Sequence, residues 1–484
     1  MYYGIDFGTT NSAVVFYDER TGRLRRIGDP SDNNPLPSVI SVDSFNDQVS
    51  AGRVVKNNLL QLLSDGLHLV VKSVKSSLDG DDVLETENRS WNAEQIAMEL
   101  FAVLANRAFE VTSQKLTSAV VAIPIGMNPE KRRILRKAAK RAGIDVSAFV
   151  SEPTAAFMAH FRQLSGFRFI LVFDWGGGTL DISVLEQREK SIIERFTVGL
   201  PKAGDYIDEV LARWAHERIA EKNDLRIPFE SVAPEDRQSL QNEAERVKLN
   251  LQKDDVSEET ILLGKYAGIR YVEQPITEEI FESLTMSLVD EAIDLLFESI
   301  EKSSISPSEI GKLLIVGGTS QLKLFRKQLS RRWDFPNLLF PDGAEWDIAN
   351  GAAYLASNPG SYRTSESVGM ELSDGDFYSI LPVKTAQKES TRTVHLGLVE
   401  DSSTAAFIFS TKSETSRTHA RVGELFVPCF GFINEVMELN CNITDDLIFE
   451  AAAHSSHIQH GDGKHIFRYD SLRWQYDFAA LMGE

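Results

Sequence analysis

The stretch "FILVFDWGGGTLDISVLE" (Phe169–Glu186) decides how this chain is read. An apolar run ends on Asp174, three glycines and Thr179 follow, and a second apolar segment begins at once. β-branched and aromatic residues on both sides of a Gly-rich bend predict strand–turn–strand. The start of the chain repeats the pattern: "YYGIDFGTTNSAVVFY" (Tyr2–Tyr17) places Asp6 before a Gly/Thr turn and returns as "SAVVFY". Similarity at such long separation predicts two related halves rather than a short-period repeat.

Working outward, "SAVVAIP" (Ser118–Pro124) is a further apolar strand. It precedes the helical stretch Asn128–Gly143, which has a proline near its start and a glycine at its end. "KLLIVGGTSQLKLFRKQL" (Lys312–Leu329) repeats the scheme of strand, glycine turn and helix. Asp205–Asn223, Glu235–Leu251 and Glu278–Ser299 read as amphipathic helices. Strands alternating with helices predict an α/β architecture. The texture changes at "ASNPGSYRTSESVG" (Ala356–Gly369), where Pro, Gly and Ser cluster. Short alternating segments such as "TRTVHLGLV", "TAAFIFST" and "HIFRYD" follow, predicting a β-sandwich. The expected division is an α/β domain over 1–358, a linker over 359–366 and a β-rich domain over 367–484 with no helical lid.

Composition narrows the function classes. At 484 residues the chain is long enough for two or three domains with real cores, and 42% hydrophobic content fits a soluble globular protein. A formal charge of −20 counts against broad binding to nucleic acid or anionic membrane. The N-terminus enters a strand pattern directly, without a basic-then-apolar leader, and no apolar run reaches the length of a bilayer span. Cys429 and Cys441 are the two cysteines, too few for a disulfide framework. A cytoplasmic location is expected. His454, His457, His460 and His465 cluster in "HSSHIQHGDGKH", but a strand–turn–strand would split them between faces, so no zinc site is expected there.

The paired turns carry the chemistry. Glycine lets backbone N–H groups approach phosphate oxygens, and Thr9, Thr10 and Thr179 add hydroxyl donors. Asp6 and Asp174 would repel phosphate unless a divalent cation stood between, and Mg²⁺ is commonly held by one or two carboxylates plus phosphate. Two such turns facing each other predict a clamp on a metal–triphosphate. A lone "GGG" is usually only a flexible turn; the pair, with a third glycine turn at "VGGTS" (Val316–Ser320), is far more specific. No P-loop pattern is present, and the turns lead into strands rather than opening a helix as a dinucleotide fingerprint does.

Taken together, "GIDFGTTNS", "AGRVVKN", "VVAIPIGMNPEKRRILRKAAKRAGI", "SEPTAA", "FDWGGGTLDIS", "IVGGTSQL" and "NGAA" resemble the DnaK-type heat-shock chaperone family of the actin-like ATPase superfamily. The resemblance covers roughly residues 1–358 and is specific as an ordered set. It implies two lobes, each a mixed sheet with flanking helices, and ATP or ADP with Mg²⁺ between them. By resemblance, Asp6 and Asp174 organise the hydrated Mg²⁺, Lys56 is the catalytic lysine, Glu152 completes the metal and water network, and Thr179 lies near the γ-phosphate. Asp181 is the second aspartate of that turn and Pro124 the switch proline. Gly8, Thr9, Thr10, Asn11, Gly176, Gly177 and Gly178 are the phosphate turns. Gly204, Glu245, Lys248, Leu249, Gly317, Gly318, Thr319, Gln321 and Glu345 complete the nucleotide pocket. The implied function is a Mg-dependent ATPase and chaperone that couples nucleotide state to polypeptide binding by the β-domain. The alternative is a nucleotide-switched module that binds one specific partner.

The chain also departs from the family's pattern. Leu249 and Gln321 stand where arginines flank the adenine, so guanidinium stacking on the base is lost at both places. Ala148 replaces an arginine that helps engage J-domain proteins, and "SNPGSYRTSES" replaces the acidic-flanked leucine linker. Both changes count against J-domain stimulation. A groove without a lid is expected to hold peptides only briefly.

Overall fold

Two sheets carry the same arrangement of five strands. The first contains Tyr2–Asp6, Asn11–Asp18, Arg23–Ile27, Ser118–Ile123 and Asp145–Ser151. The second contains Phe169–Trp175, Leu180–Arg188, Ser191–Leu200, Ile310–Val316 and Leu338–Leu339. Counted along the chain within each sheet, the spatial order is five, four, one, two, three in both cases. The two halves read from the turns are thus halves in topology as well. This computed structural model describes residues 1–79, 84–125, 127–189, 191–333, 337–358, 361–414, 416–457 and 465–478.

The shared order sets the two aspartates in equivalent places. Tyr3–Asp6 runs parallel to Ala119–Ala122, with Asp6 opposite Ala122. Phe169–Asp174 runs parallel to Ile310–Val316, with Asp174 opposite Val316. Each aspartate therefore sits at the carboxyl end of a central parallel strand, where open α/β sheets bind ligands. These strands are apolar almost throughout because both of their faces are buried: Ile5, Leu171, Phe173, Leu314 and Ile315 are wholly buried.

Helices occur where the apolar spacing places them: Gly204–Lys222, Pro234–Leu251 and Glu278–Lys302. They bury Leu211, Leu240, Val247, Val289 and Leu296 against the second sheet. The helix Ala93–Thr112 opens on a capping box in which Asn92 and Gln95 satisfy each other's backbone N–H. The helix Asp347–Ser357 approaches the first sheet so closely that a Cβ on Gly4 would stand 2.0 Å from the Ala353 nitrogen. A hairpin, Glu258–Tyr266 with Ile269–Thr277, turns through Ala267 and Gly268, both in the left-handed region.

The chain divides into two compact units, one of Met1–Ile125, Ile134–Leu185 and Arg195–Ser357, the other of Gly126–Arg133, Glu186–Glu194 and Asn358–Glu484. Within the second, Phe377–Leu381, Glu366–Glu371, Thr404–Ser413 and Ala420–Pro428 form one antiparallel sheet. Arg392–Gly397, Val436–Ile443, Phe449–Ser455 and His465–Tyr469 form the other. Phe409 stacks on Phe467 at 4.3 Å and meets Phe449 edge-on, which builds the core of this unit. No α-helix occurs among the described residues after Asn358.

Of the segment expected as a linker, residues 359 and 360 lie outside the described residues. Ser361–Thr364 is a strand paired with Trp474–Asp477, reinforced by Arg363 Nε on Asp477 Oδ2 at 2.6 Å. Of the four clustered histidines, His454 faces Glu438 in register, His465 faces Ala453, and the His457 ring packs on Phe432 at 5.3 Å. His460 lies outside the described residues.

Candidate functional site

The glycine turns lie against one another. A Cβ on Gly177 would fall 2.1 Å from Thr10 Oγ1, and one on Gly178 would fall 2.8 Å from Thr9 Cγ2. Only glycine permits that approach. The carbonyls of both turns are drawn into the protein: Ser38 Oγ donates to Gly8 O at 2.8 Å and Ser73 Oγ to Thr9 O at 3.0 Å. Thr319 Oγ1 donates to Gly176 O at 2.7 Å, and the Asp205 backbone N–H to Gly177 O at 2.8 Å. With the carbonyls so engaged, the turns can present amide dipoles to an anion.

A cavity of about 440 Å³ adjoins them. Every site residue named from the sequence lines it except Asp181 and Pro124, which line a small neighbouring cavity. Asp6, Glu152, Asp174 and Asp181 form an acidic cluster with Lys75 as its counter-charge. Lys75 Nζ lies 2.8 Å from Glu152 Oε1, with the side chains 13% and 12% exposed. Burial, reinforced by the Glu152 charge, pushes the Asp6 carboxyl up to about 7. Burial, then Glu152, Asp181 and Asp6, raises Asp174 well above the carboxylate range. For Lys75, burial opposes the charge, but Glu152 and Asp6 outweigh it and hold the ammonium protonated.

The lysine named from the sequence stands elsewhere in the same cavity. Lys56 Nζ pairs with Glu245 Oε1 at 2.8 Å, tying the helix Arg53–Asn57 to the helix Pro234–Leu251. Sequence reasoning missed Lys75, and only the turn-like position of "KSVKSS" after the strand His68–Val71 hinted at it. Asp205, which accepts from Thr10 Oγ1 at 3.1 Å and so bridges the turns, was also missed.

Beside the second glycine turn, Lys248 Nζ bonds Asp208 Oδ2 at 2.7 Å and Gly204 O at 3.1 Å. Leu249 is 57% exposed. Gln321 accepts from the Arg326 guanidinium, and Gln252 Oε1 accepts from the Lys323 backbone N–H at 2.9 Å. Glu345 lines the cavity as well. Positions 249 and 321 offer no guanidinium to stack on a base, since neither residue carries one.

This layout agrees with comparison to known proteins. The family model described as "Hsp70 protein" matches residues 61–357, more than half of the chain. The chain belongs to the Hsp70 family. Chaperone protein DnaK of Mycoplasma mycoides subsp. mycoides SC is 29% identical over 324 residues, 66% of this chain and 53% of that protein. This Hsp70-family chain therefore spans about half the length of the curated relative it matches. The family match ends at the helix Asp347–Ser357, so the β-unit lies beyond it. No helix among the described residues is long and apolar enough to cross a membrane.

Proposed function

We propose that this chain binds Mg²⁺–ATP in the 440 Å³ cavity, hydrolyses it slowly, and couples the nucleotide state to polypeptide binding by its β-unit. The observation that carries this reading is four carboxylates gathered around a single ammonium beside two glycine turns. Such an excess of negative charge calls for a cation. Among the described residues no three acidic or imidazole groups converge closely enough to ligate a metal by themselves. Asp6 and Asp174 would therefore hold Mg²⁺ largely through water, which is how that ion is usually kept beside phosphates. Bound there, Mg²⁺ would neutralise charge on the phosphates.

The protein's own groups have separate tasks. The turn amides and Thr9, Thr10 and Thr179 grip the phosphate tail. Lys75, fixed by Glu152, orients the attacking water and stabilises charge developing on the transferred phosphoryl group. Lys56, paired with Glu245, acts as a bar across the cavity mouth rather than at the reacting atoms. Phosphoryl transfer to water depends on positioning and charge stabilisation, and these groups supply both.

One observation favours a second reading. Ser361–Thr364, within the segment expected as a linker, forms a strand that pairs with Trp474–Asp477, which suits a β-unit of fixed form serving one protein partner. Binding to an apolar peptide array with ATP and with ADP separates the two. Broad binding that changes with the nucleotide supports a chaperone, whereas capture of one protein only supports the switch. Absence of nucleotide binding removes both.

A further inference from the structure

A second cavity, of about 10 Å³, is lined by Pro124, Glu152, Asp174, Asp181, Ser183 and Thr197, among others. That is about the space one water molecule needs, and its mostly apolar wall carries the polar groups of Glu152, Asp174, Asp181, Ser183 and Thr197, enough partners for one water. Ser183 is 2% exposed, and its hydroxyl lies 3.1 Å from Thr197 Oγ1. Glu152 already accepts from Lys75 and Asp181 Oδ2 from Thr179, which leaves Asp181 Oδ1 and one hydroxyl proton facing the cavity without a hydrogen bond among the described residues. One hydroxyl proton is already used between Ser183 and Thr197. A water supplies what is missing: a donor for Asp181 Oδ1 and a lone pair for the free hydroxyl proton.

The neighbourhood of Asp181 shows what that water would accomplish. Thr179 Oγ1 donates to Asp181 Oδ2 at 2.8 Å. On the other side the backbone of Gly199 closes in, since a Cβ there would stand 2.8 Å from Asp181 Oδ1. Asp181 is thus held by the second glycine turn on one oxygen and faces the small cavity as a lining residue. We propose that this cavity is a single-water site gripped by Ser183 and Thr197, and that the two hydroxyls are positioning residues which fix Asp181 and, through it, Thr179. The water site stands on geometry alone. The positioning role rests on the ATP hydrolysis proposed above.

Two measurements on the full chain test these parts separately. Diffraction from nucleotide-free crystals, at a resolution that shows ordered solvent, is expected to reveal one water within hydrogen-bond distance of Ser183 Oγ and Thr197 Oγ1. A cavity without density, or closed by a side chain, overturns the site. Thr197→Val keeps the volume and removes the hydroxyl; it is expected to lower the single-turnover rate roughly 10-fold while nucleotide Kd stays within about 2-fold. Thr197→Ser is expected to restore the rate. Equal rates for Thr197→Val and the unmodified chain, or no recovery with serine, overturn the positioning role. So does an unmodified chain that binds ATP without hydrolysing it, and the density then still decides the water site.

Discussion

Lys75 and Glu152 form a nearly enclosed ion pair at 2.8 Å, while Lys56 is paired with Glu245 on a different helix. The two lysines therefore have distinguishable tasks. Lys75→Ala is expected to slow single-turnover ATP hydrolysis at least ~100-fold, because it removes the ammonium that offsets the acidic cluster. Lys56→Ala is expected to leave the chemical step within about 3-fold and to speed nucleotide release, since it opens a bridge between two helices. A Lys56→Ala variant as inactive as Lys75→Ala would return the catalytic role to Lys56.

The acidic cluster predicts how stability varies with pH. Asp6 is raised from the ordinary 3.8 to about 7, first by burial and then by Glu152. The folded chain thus keeps a proton that the unfolded chain releases. The resulting stabilisation is full below the unfolded value and is lost as pH rises through about 7. The melting temperature of the nucleotide-free chain is expected to fall by on the order of 2 °C or more between about pH 6 and 8. Asp6→Asn should flatten that slope, and Mg²⁺ with ATP should reduce it, because a cation then takes the proton's place. A nucleotide-free chain whose melting point rises over this range contradicts the burial argument.

Close approach of the helix Asp347–Ser357 predicts intolerance to single methyl groups. A Cβ on Gly351 would lie 1.8 Å from Ala155 O, and one on Gly4 would lie 2.0 Å from the Ala353 nitrogen. Both obstacles are backbone atoms, so no rotamer change relieves them. Gly351→Ala and Gly4→Ala are each expected to cost about 3 kcal/mol or more, read as a lower urea midpoint. Equal midpoints would mean that the helix can withdraw freely.

In the β-unit, Glu435 is fully buried and accepts from the Phe430 and Gly431 backbone N–H groups at 3.1 and 2.9 Å, and from Ser455 Oγ. It holds the loop that carries Phe430, Phe432 and Ile433 outward. Glu435→Ala leaves two amides without their acceptor and is expected to cost ~1–3 kcal/mol. Hydrogen exchange at residues 430 and 431 checks it: protection there should fall first.

The turns were legible because their chemistry is local. Asp6 and Asp174 sit within a few residues of the glycines they serve, and the alternation of strand and turn survives in the bare sequence. Helices such as Pro234–Leu251 were legible for the same reason, since a 3.6-residue period needs no tertiary partner. Lys75 was not. Its meaning depends on Glu152, 77 positions away, and "VKSVKSS" offers Lys72 as an equal candidate until the fold turns Lys72 to Gln238. Asp205 was missed likewise, because its partner Thr10 is 195 residues distant. Nor could composition reveal that both sheets share one strand order, which is a property of pairing and not of any single strand.

Leu249 lines the cavity next to Lys248. It is 57% exposed, and the Lys248 ammonium is anchored on Asp208 and Gly204. A guanidinium at 249 could lie over a base held there, and such a contact is worth ~0.5–2 kcal/mol, or roughly 2- to 30-fold in affinity. Leu249→Arg is therefore expected to tighten ATP binding within that range, measured by calorimetry. Binding of inorganic triphosphate, which has no base, should stay unchanged. If triphosphate gains as much as ATP, the arginine acts only through its charge. If neither gains, the base does not lie against residue 249.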